Sequence, residues 1–391
     1  MLGAIIGDIV GSRWEFYRTN DYNFELFSDK NSFTDDTICT IAVADALLKG
    51  RDYGESIHEW CRRYPHPMGG YGGRFAMWVQ SDNPQPYRSF GNGSAMRVSP
   101  VGWWFNDLKE LREEAKKSAA CTHNHPAGLL GAEVTAIAIH DCIELSKKIH
   151  VSRITKEDVQ QALYGAINYY KGIVDDVNMN IEDYRKKFDE TCQGTVPVAL
   201  AIVANSTSFE DAIRQAVSLG ADADTLGAIV GSIAEALWGI PRWIQVKALS
   251  YLPDEMKEVI TRFHCRCNNV PPILIQDFCD KYIDFFENEF LKTRESQYKF
   301  FDSMEFPNEC WRLGFEMDCG KSFDEAYGPD GWDIEKLESK LPSMNDIKII
   351  GSGIFSNWRY FNHWSFGHAE EKDKKWFLTL FKHLKELTKE D

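Results

Sequence analysis

An all-α core carrying a small, aromatic-rich α/β appendage at its C-terminal side is the fold the sequence predicts. Three observations lead there. From Leu2 to Phe263 almost every stretch has a helical period, and none alternates as a strand. Glycine-rich turns join these stretches. Beyond Pro271-Pro272 the composition changes, with Trp311, Phe315, Phe323, Trp332, Phe355, Trp358 and Trp364 crowding one region. The expected division is a core domain over 1–268 and an accessory domain over 273–391, and 391 residues suffice for both.

The first predicted helix is Leu2 to Ser12, apolar nearly all round, with Gly3, Gly7 and Gly11 forming a smooth face for close helix packing. Asp8 is the lone acid in it, and such an acid usually satisfies a buried backbone or a neighbouring helix end. Glu15 follows between Trp14 and Phe16. A carboxylate so placed is partly desolvated, which raises its pKa and suits proton transfer; a surface loop Glu is the plainer reading.

Thr34-Asp35-Asp36-Thr37 precedes an apolar helix, Ile38 to Leu48, closed by Lys49-Gly50. Tyr53 to Tyr64 reads as the next helix. Residues 65–73 hold too much Gly and Pro for a regular element. They form a loop whose backbone can approach a ligand, with Tyr71 and Trp78 available for stacking. In Phe90-Gly91-Asn92-Gly93-Ser94-Ala95-Met96-Arg97 two glycines around Asn92 precede a helix start. Exposed N–H groups there suit an anion, although a tight turn explains one GxG as well. Arg97 either adds charge to this nest or braces the loop.

Thr122-His123-Asn124-His125-Pro126 opens a helix through Leu145, with Pro126 at its start. Helices follow at Ile154 to Val174 and Thr195 to Asn205. Between them Val177 to Gln193 is polar and reads as a surface excursion. The amphipathic Phe209 to Leu219 delivers the chain to Asp222-Ala223-Asp224-Thr225. There a second pair of carboxylates and a hydroxyl open a buried helix that Gly239-Ile240-Pro241 stops. In the appendage an aromatic helix spans Ile273 to Phe290. Short strands are expected at Ile347–Ile350 and Ile354–Tyr360. A closing helix carries Trp376, Phe377, Leu380, Phe381, Leu384 and Leu387 on one face. The aromatics read as core.

If the two Asp-rich helix starts meet, four carboxylates converge, and like charges so close need compensation. Two divalent cations would neutralise them. Oxygen donors from Asp and Thr suit magnesium, manganese or calcium rather than zinc. Two unrelated helix caps, or a single or purely structural ion, are the competing readings.

A formal net charge of −15 argues against a nucleic-acid backbone or an anionic membrane as the main partner. Ten Cys without a paired CxxC spacing fit free thiols in a reducing compartment. His264-Cys265-Arg266-Cys267 lacks the second half of a zinc site. The first ten residues lack the basic region of a signal peptide, and no apolar run is long enough to span a membrane. The expected location is the cytoplasm.

Five stretches, in this order, resemble the ADP-ribosylglycohydrolase family: Gly3-Ala4-Ile5-Ile6-Gly7-Asp8 with Glu15; Phe33-Thr34-Asp35-Asp36-Thr37; Gly91 to Arg97; Thr122 to Pro126; and Gly220 to Thr225. They cover about the first 265 residues, and the resemblance does not reach the appendage. It implies an all-α hydrolase with a centre of two Mg²⁺ (or Mn²⁺) ions. Thr34, Asp35 and Asp36 match one ligand group, and Asp222, Asp224 and Thr225 the other. The metals would hold the distal ribose hydroxyls, and the Gly91–Ser94 loop with Met96 would cradle the diphosphate. His123 would lie near ADP-ribose, and Glu15 beside the scissile bond. The proton handler among Glu15, Asp35 and Asp224 stays open. The implied partner is an ADP-ribosylated protein, with arginine the commonest family target. Serine-linked, polymeric and nucleic-acid-linked ADP-ribose are the other options. The alternatives are a catalytically silent structural member and an ADP-ribose-binding or immunity protein.

Overall fold

The computed structural model describes residues 1–149, 153–171, 177–267, 272–313, 315, 320–364 and 369–388. The chain divides into two compact units, Met1–Ile260 and Thr261–Asp391. Among the described residues regular structure is helical, and the extended pairing is one isolated antiparallel bridge between Gly91 and Thr191. No described helix is long and apolar enough to cross a membrane.

The first unit begins with α1 (Leu2–Ser12), α2 (Asp35–Lys49), α3 (Tyr53–Arg63) and α4 (Gly73–Gln80). Short helices α5 (Gly93–Met96) and α6 (Ser99–Trp104) lead to α7 (Leu108–Ala120), α8 (Pro126–Ser146) and α9 (Lys156–Lys171). Then come α10 (Cys192–Asn205), α11 (Phe209–Ser218), α12 (Ala223–Trp238) and α13 (Arg242–Leu249), and α14 (Asp254–Arg266) spans the division. Helix α9 starts two residues later than expected, and its expected end at 172–174 lies outside the described residues. Pro126 occupies the first turn of α8 behind a His125 cap, as its position predicts.

Every residue of α1 is buried, which explains why it is apolar on all sides. It lies against α12, itself buried from Ala223 to Leu237. The two helices meet backbone to backbone. A Cβ on Gly3, Gly7 or Gly11 would overlap the carbonyl of Gly231, Gly227 or Ala223 respectively. The glycine spacing seen in both segments is therefore one shared contact.

Acids secure the ends of this pair. Glu235 of α12 accepts the Gly3 N–H (2.9 Å) and the Met1 amine (2.5 Å) at the start of α1. Asp8 of α1 accepts the Thr34 N–H (3.0 Å), the Thr37 N–H (3.0 Å) and both threonine hydroxyls (2.8 and 2.5 Å). Asp8 thus caps α2 from a neighbouring helix, the role expected of a lone buried acid. Burial pushes its pKa up to about 6, against the pull of these four hydrogen bonds.

The second unit holds α15 (Pro272–Asn288), α16 (Arg294–Asp302), α17 (Glu305–Arg312), α18 (Lys321–Tyr327), α19 (Ile334–Lys340), α20 (Ile347–Trp364) and α21 (Glu371–Leu387). The strands expected at Ile347–Ile350 and Ile354–Tyr360 are turns of α20, so the α/β reading of the appendage is corrected to α. Gly351 and Gly353 disguised that helix. Each is small because an aromatic ring, of Phe315 and Phe323 respectively, fills the space its Cβ would take. Aromatic residues do form the core here: Phe315, Phe323, Phe355 and Trp358 are buried with Phe286, Phe306, Phe377 and Phe381. Cys319 and the side chains of Cys265, Trp311 and Trp364 fall outside the described residues.

Candidate active site

The α1–α12 contact brings the start of α12 alongside Asp8, and Asp8 holds the start of α2. The two Asp-rich helix starts therefore meet. Thr225 Oγ1 donates to Asp36 Oδ1 at 3.4 Å, across 189 residues of chain. Thr34 is the N-cap of α2, accepting the Asp36 N–H at 3.2 Å while its hydroxyl hydrogen goes to Asp8. Asp222 occupies the N-cap position of α12 but makes no side-chain cap bond. Its Oδ2 accepts the Asn92 amide at 2.8 Å, and the same amide donates to Thr195 Oγ1 at 3.1 Å. Asp222 is thus held for another purpose than capping.

Asp36 and Asp224 are 2% and 4% exposed, yet Asp36 Oδ2 and Asp224 Oδ1 have no hydrogen-bond partner. Burial, then the charges of Asp8, Asp35 and Asp222, raise the Asp36 pKa well above the carboxylate range. Burial, then Asp222, Asp36, Glu15 and Asp8, do the same to Asp224. Asp35, in the first turn of α2 and partly exposed, is raised by burial, Asp8, Glu15 and Asp222. Burial also raises Asp222, although hydrogen bonds from Asn92 and Asp224 pull it back. Such oxygens require protons or cations. Among the described residues no three His, Cys, Asp or Glu side chains already close into an ion-binding group. The donor set nevertheless fits a hard divalent cation: carboxylate and hydroxyl oxygens, two of them buried and unpaired.

Glu15 lies half-buried beside this centre, its Oε2 without a partner. Burial, then Asp222, Asp8 and Glu190, push its pKa up to about 7. The 65–73 loop approaches Glu15: Gly69 has φ +77, and a Cβ there would stand 2.6 Å from Glu15 Oε2. Tyr71 is half-buried, its hydroxyl donating to the carbonyls of Tyr64 (2.7 Å) and Cys61 (3.1 Å). The hydroxyl is used in bracing the loop. Trp78, expected to be open for stacking, is buried against Phe75 at 5.6 Å.

The Gly91–Ser94 stretch divides its duties. Ser94 is buried and donates to the Gly128 carbonyl at 2.7 Å, tying α5 to α8, and Met96 points inward. Neither side chain offers a surface to a ligand. Arg97 braces rather than charges the loop, bonding Thr122 Oγ1 (2.8 Å) and the Ser118 carbonyl (3.1 Å). The Gly93 and Ser94 N–H groups, in the first turn of α5, take no partner among the described residues. A Cβ on Gly93 would lie 3.3 Å from His123 Nε2, so the ring borders this loop. Burial and then Arg97 hold the His123 pKa well below the usual range, and Nδ1 pairs with Thr122 Oγ1 at 2.7 Å. His123 is a neutral imidazole at neutral pH.

Sequence reasoning missed the role of 189–193, which it read as the end of a surface excursion, and of Thr195, which it read as a helix start. The 189–193 segment pairs with the glycine loop. Asn92 N–H donates to the Glu190 carbonyl (2.7 Å), and Cys192 N–H to that of Phe90 (2.9 Å). Thr195, Asp189 and Asp222 also line a pocket of 340 Å³ with Tyr170, Tyr184 and Lys187. The Thr and Gln-Gly-Thr signals around it carry no spacing that points at Asn92, so nothing local gave the pairing away.

The family model for ADP-ribosylglycohydrolase matches residues 1–270. ADP-ribosylarginine hydrolase Tri1 of Pseudomonas putida is 26% identical over 297 residues, 64% of this chain and 73% of that protein. ADP-ribosylhydrolase ARH3 of Homo sapiens is 24% identical over 306 residues, 61% of this chain and 84% of that protein. A solved structure titled ADP-ribosylglycohydrolase-related protein complex superposes with a TM-score of 0.51 at 23% identity, covering 66% of this chain and 93% of that one. With the family model spanning more than half the chain and the paired helix starts in place, the protein belongs to the ADP-ribosylglycohydrolase family of glycosidic-bond hydrolases.

Proposed function

We propose that this protein is a divalent-metal-dependent hydrolase that releases ADP-ribose from modified arginine on a protein. The observation that carries the metal is the pair of buried, unpartnered oxygens, Asp36 Oδ2 and Asp224 Oδ1. Thr34, Asp35 and Asp36 would hold it from α2, and Asp222, Asp224 and Thr225 from α12. When bound, magnesium or manganese would neutralise the carboxylates and fix the ribose hydroxyls. The arginine linkage is favoured by the likeness to a protein named an ADP-ribosylarginine hydrolase. Thiols outside any disulfide, such as those of Cys39, Cys121 and Cys192, suit the cytoplasm.

This chain's residues then have distinct tasks. The free N–H groups of Gly93 and Ser94 receive a diphosphate oxygen, with neutral His123 beside them. Asn92 fixes Asp222, and Asp8 fixes the first turn of α2. At the reacting carbon the C–N bond breaks with its electron pair going to nitrogen, through an oxocarbenium-like state. A glycosylated guanidinium is already cationic, so it departs as neutral guanidine without prior protonation. Glu15, with a pKa about 7, takes the proton of the attacking water. Glu15 then gives its proton back to solvent as the departed guanidine takes one up, which balances the reaction.

The test is mass-spectrometric detection of free ADP-ribose from a panel of arginine-, serine- and polymer-linked substrates. Release from the arginine linkage supports the reading. Release only from the others refutes the linkage.

A further inference from the structure

We propose that Glu190 is a specificity-determining residue that binds the cationic guanidinium of the modified arginine; this rests on the arginine-directed reading above. Its backbone is fixed within the site. The Glu190 carbonyl accepts the Asn92 N–H at 2.7 Å, next to the Gly91–Thr191 bridge, and Asn92 in turn holds Asp222. Its side chain is exposed, and among the described residues its carboxylate makes no hydrogen bond or ion pair. The neighbouring Asp189 differs, since its Oδ1 is occupied by the Thr191 N–H (2.7 Å) and hydroxyl (2.6 Å). Among the described residues Glu190 is therefore an uncommitted anion beside the glycine loop.

Its charge reaches the reaction centre. The groups whose charges bear on Glu15 are Asp222, Asp8 and Glu190, all anionic, and Glu190 also acts on Asp222. The buried Asp224 Oδ1, without a partner, marks the interior of the same centre. A cation, Arg18, also acts on Asp222, but its guanidinium lies over the Phe188 ring at 4.3 Å. An uncommitted carboxylate beside the glycine loop favours a substrate that brings its own positive charge. ADP-ribose is anionic and gains nothing from Glu190. The guanidinium does, and a serine ether would not. The positive charge is kept as the C–N bond stretches, passing from the guanidinium to the ribose, so Glu190 binds ground and transition states alike and acts on KM rather than on kcat.

The experiment measures KM and kcat on an arginine-ADP-ribosylated peptide, and Ki for ADP-ribose, in wild type, Glu190→Gln and Glu190→Asp. The expected result for Glu190→Gln is a KM raised about fivefold, the size of one exposed ion pair, with kcat and the ADP-ribose Ki within twofold. Glu190→Asp should recover part of the KM, since it keeps the charge. Parallel loss of KM and Ki, an unchanged KM, or a defect confined to kcat overturns the role of Glu190 alone. A wild-type enzyme that leaves the arginine peptide intact overturns both this role and the reading beneath it.

Discussion

Thr225 Oγ1 and Asp36 Oδ1 stand 3.4 Å apart, joining two helix starts 189 residues distant in the chain. Neither residue reaches the other through local structure. They meet because α1 packs on α12 through glycine and because Asp8 of α1 holds the first turn of α2. The site is a consequence of the core.

Gly7→Ala tests that dependence. The new methyl would overlap the Gly227 carbonyl, which is backbone and cannot rotate away. The expected loss is about 3 kcal/mol in denaturant-induced unfolding, at the high end for overpacking, with hydrolysis falling as Asp8 shifts. Stability within about 0.5 kcal/mol of wild type would show that the helices can separate at no cost.

Gly69→Ala probes the loop over Glu15. Its φ of +77 disfavours any side chain, and the added carbon would press on Glu15 Oε2 from 2.6 Å. The stability cost should be modest, about 1 kcal/mol. The turnover cost should be larger, about tenfold or more, because a displaced carboxylate is poorly aligned. Equal turnover in both proteins would place Glu15 outside the chemistry.

Glu15 also sets a pH dependence. Its folded pKa of about 7 lies above the ordinary 4.5, so between these values the folded state holds the extra proton. Stability therefore declines as pH rises from 4.5 toward 7 and is level above that. Glu15→Gln should remove this component of the decline, and the variant should be the more stable protein at pH 8. Catalysis has the opposite sign: a base must be deprotonated, so single-turnover rates should fall as pH drops through the Glu15 titration, which bound cations would shift downward. Glu15→Gln should lose about two to four orders of magnitude and keep its ADP-ribose affinity. A wild-type rate flat from pH 4.5 to 8 would contradict the assignment.

Asp224→Asn separates metal binding from folding. It removes a buried carboxyl that burial and its acidic neighbours disfavour in the charged form, so the metal-free variant should melt about 2–4 °C above metal-free wild type. Manganese at a hundredfold excess over its Kd should stabilise wild type by about 2.7 kcal/mol and leave the variant unmoved. Equal stabilisation of both would remove Asp224 from the ligand set.

Much of this was legible in the chain itself. The Gly3-Gly7-Gly11 spacing announced a close helix contact, and Asp35-Asp36 and Asp222-Asp224 announced the acids. What the residues could not give was the partner of each. That α1 chooses α12, or that Asn92 reaches Asp222 and Thr195, depends on packing over more than 100 residues. The family resemblance puts Ser94 and Met96 at the diphosphate, yet both side chains turn inward onto α8 and the core. Helix α20 was hidden because Gly351 and Gly353 break its period to admit two phenyl rings supplied from elsewhere in the unit.

The most direct test of the shared carboxylate centre is ADP-ribose release from an arginine-modified protein by chelator-treated enzyme, with and without added magnesium or manganese. The expected result is no release after chelation and full recovery on adding either ion, zinc restoring less. Undiminished release by the metal-stripped enzyme would contradict the account, because Asp36 and Asp224 would then need no cation between them.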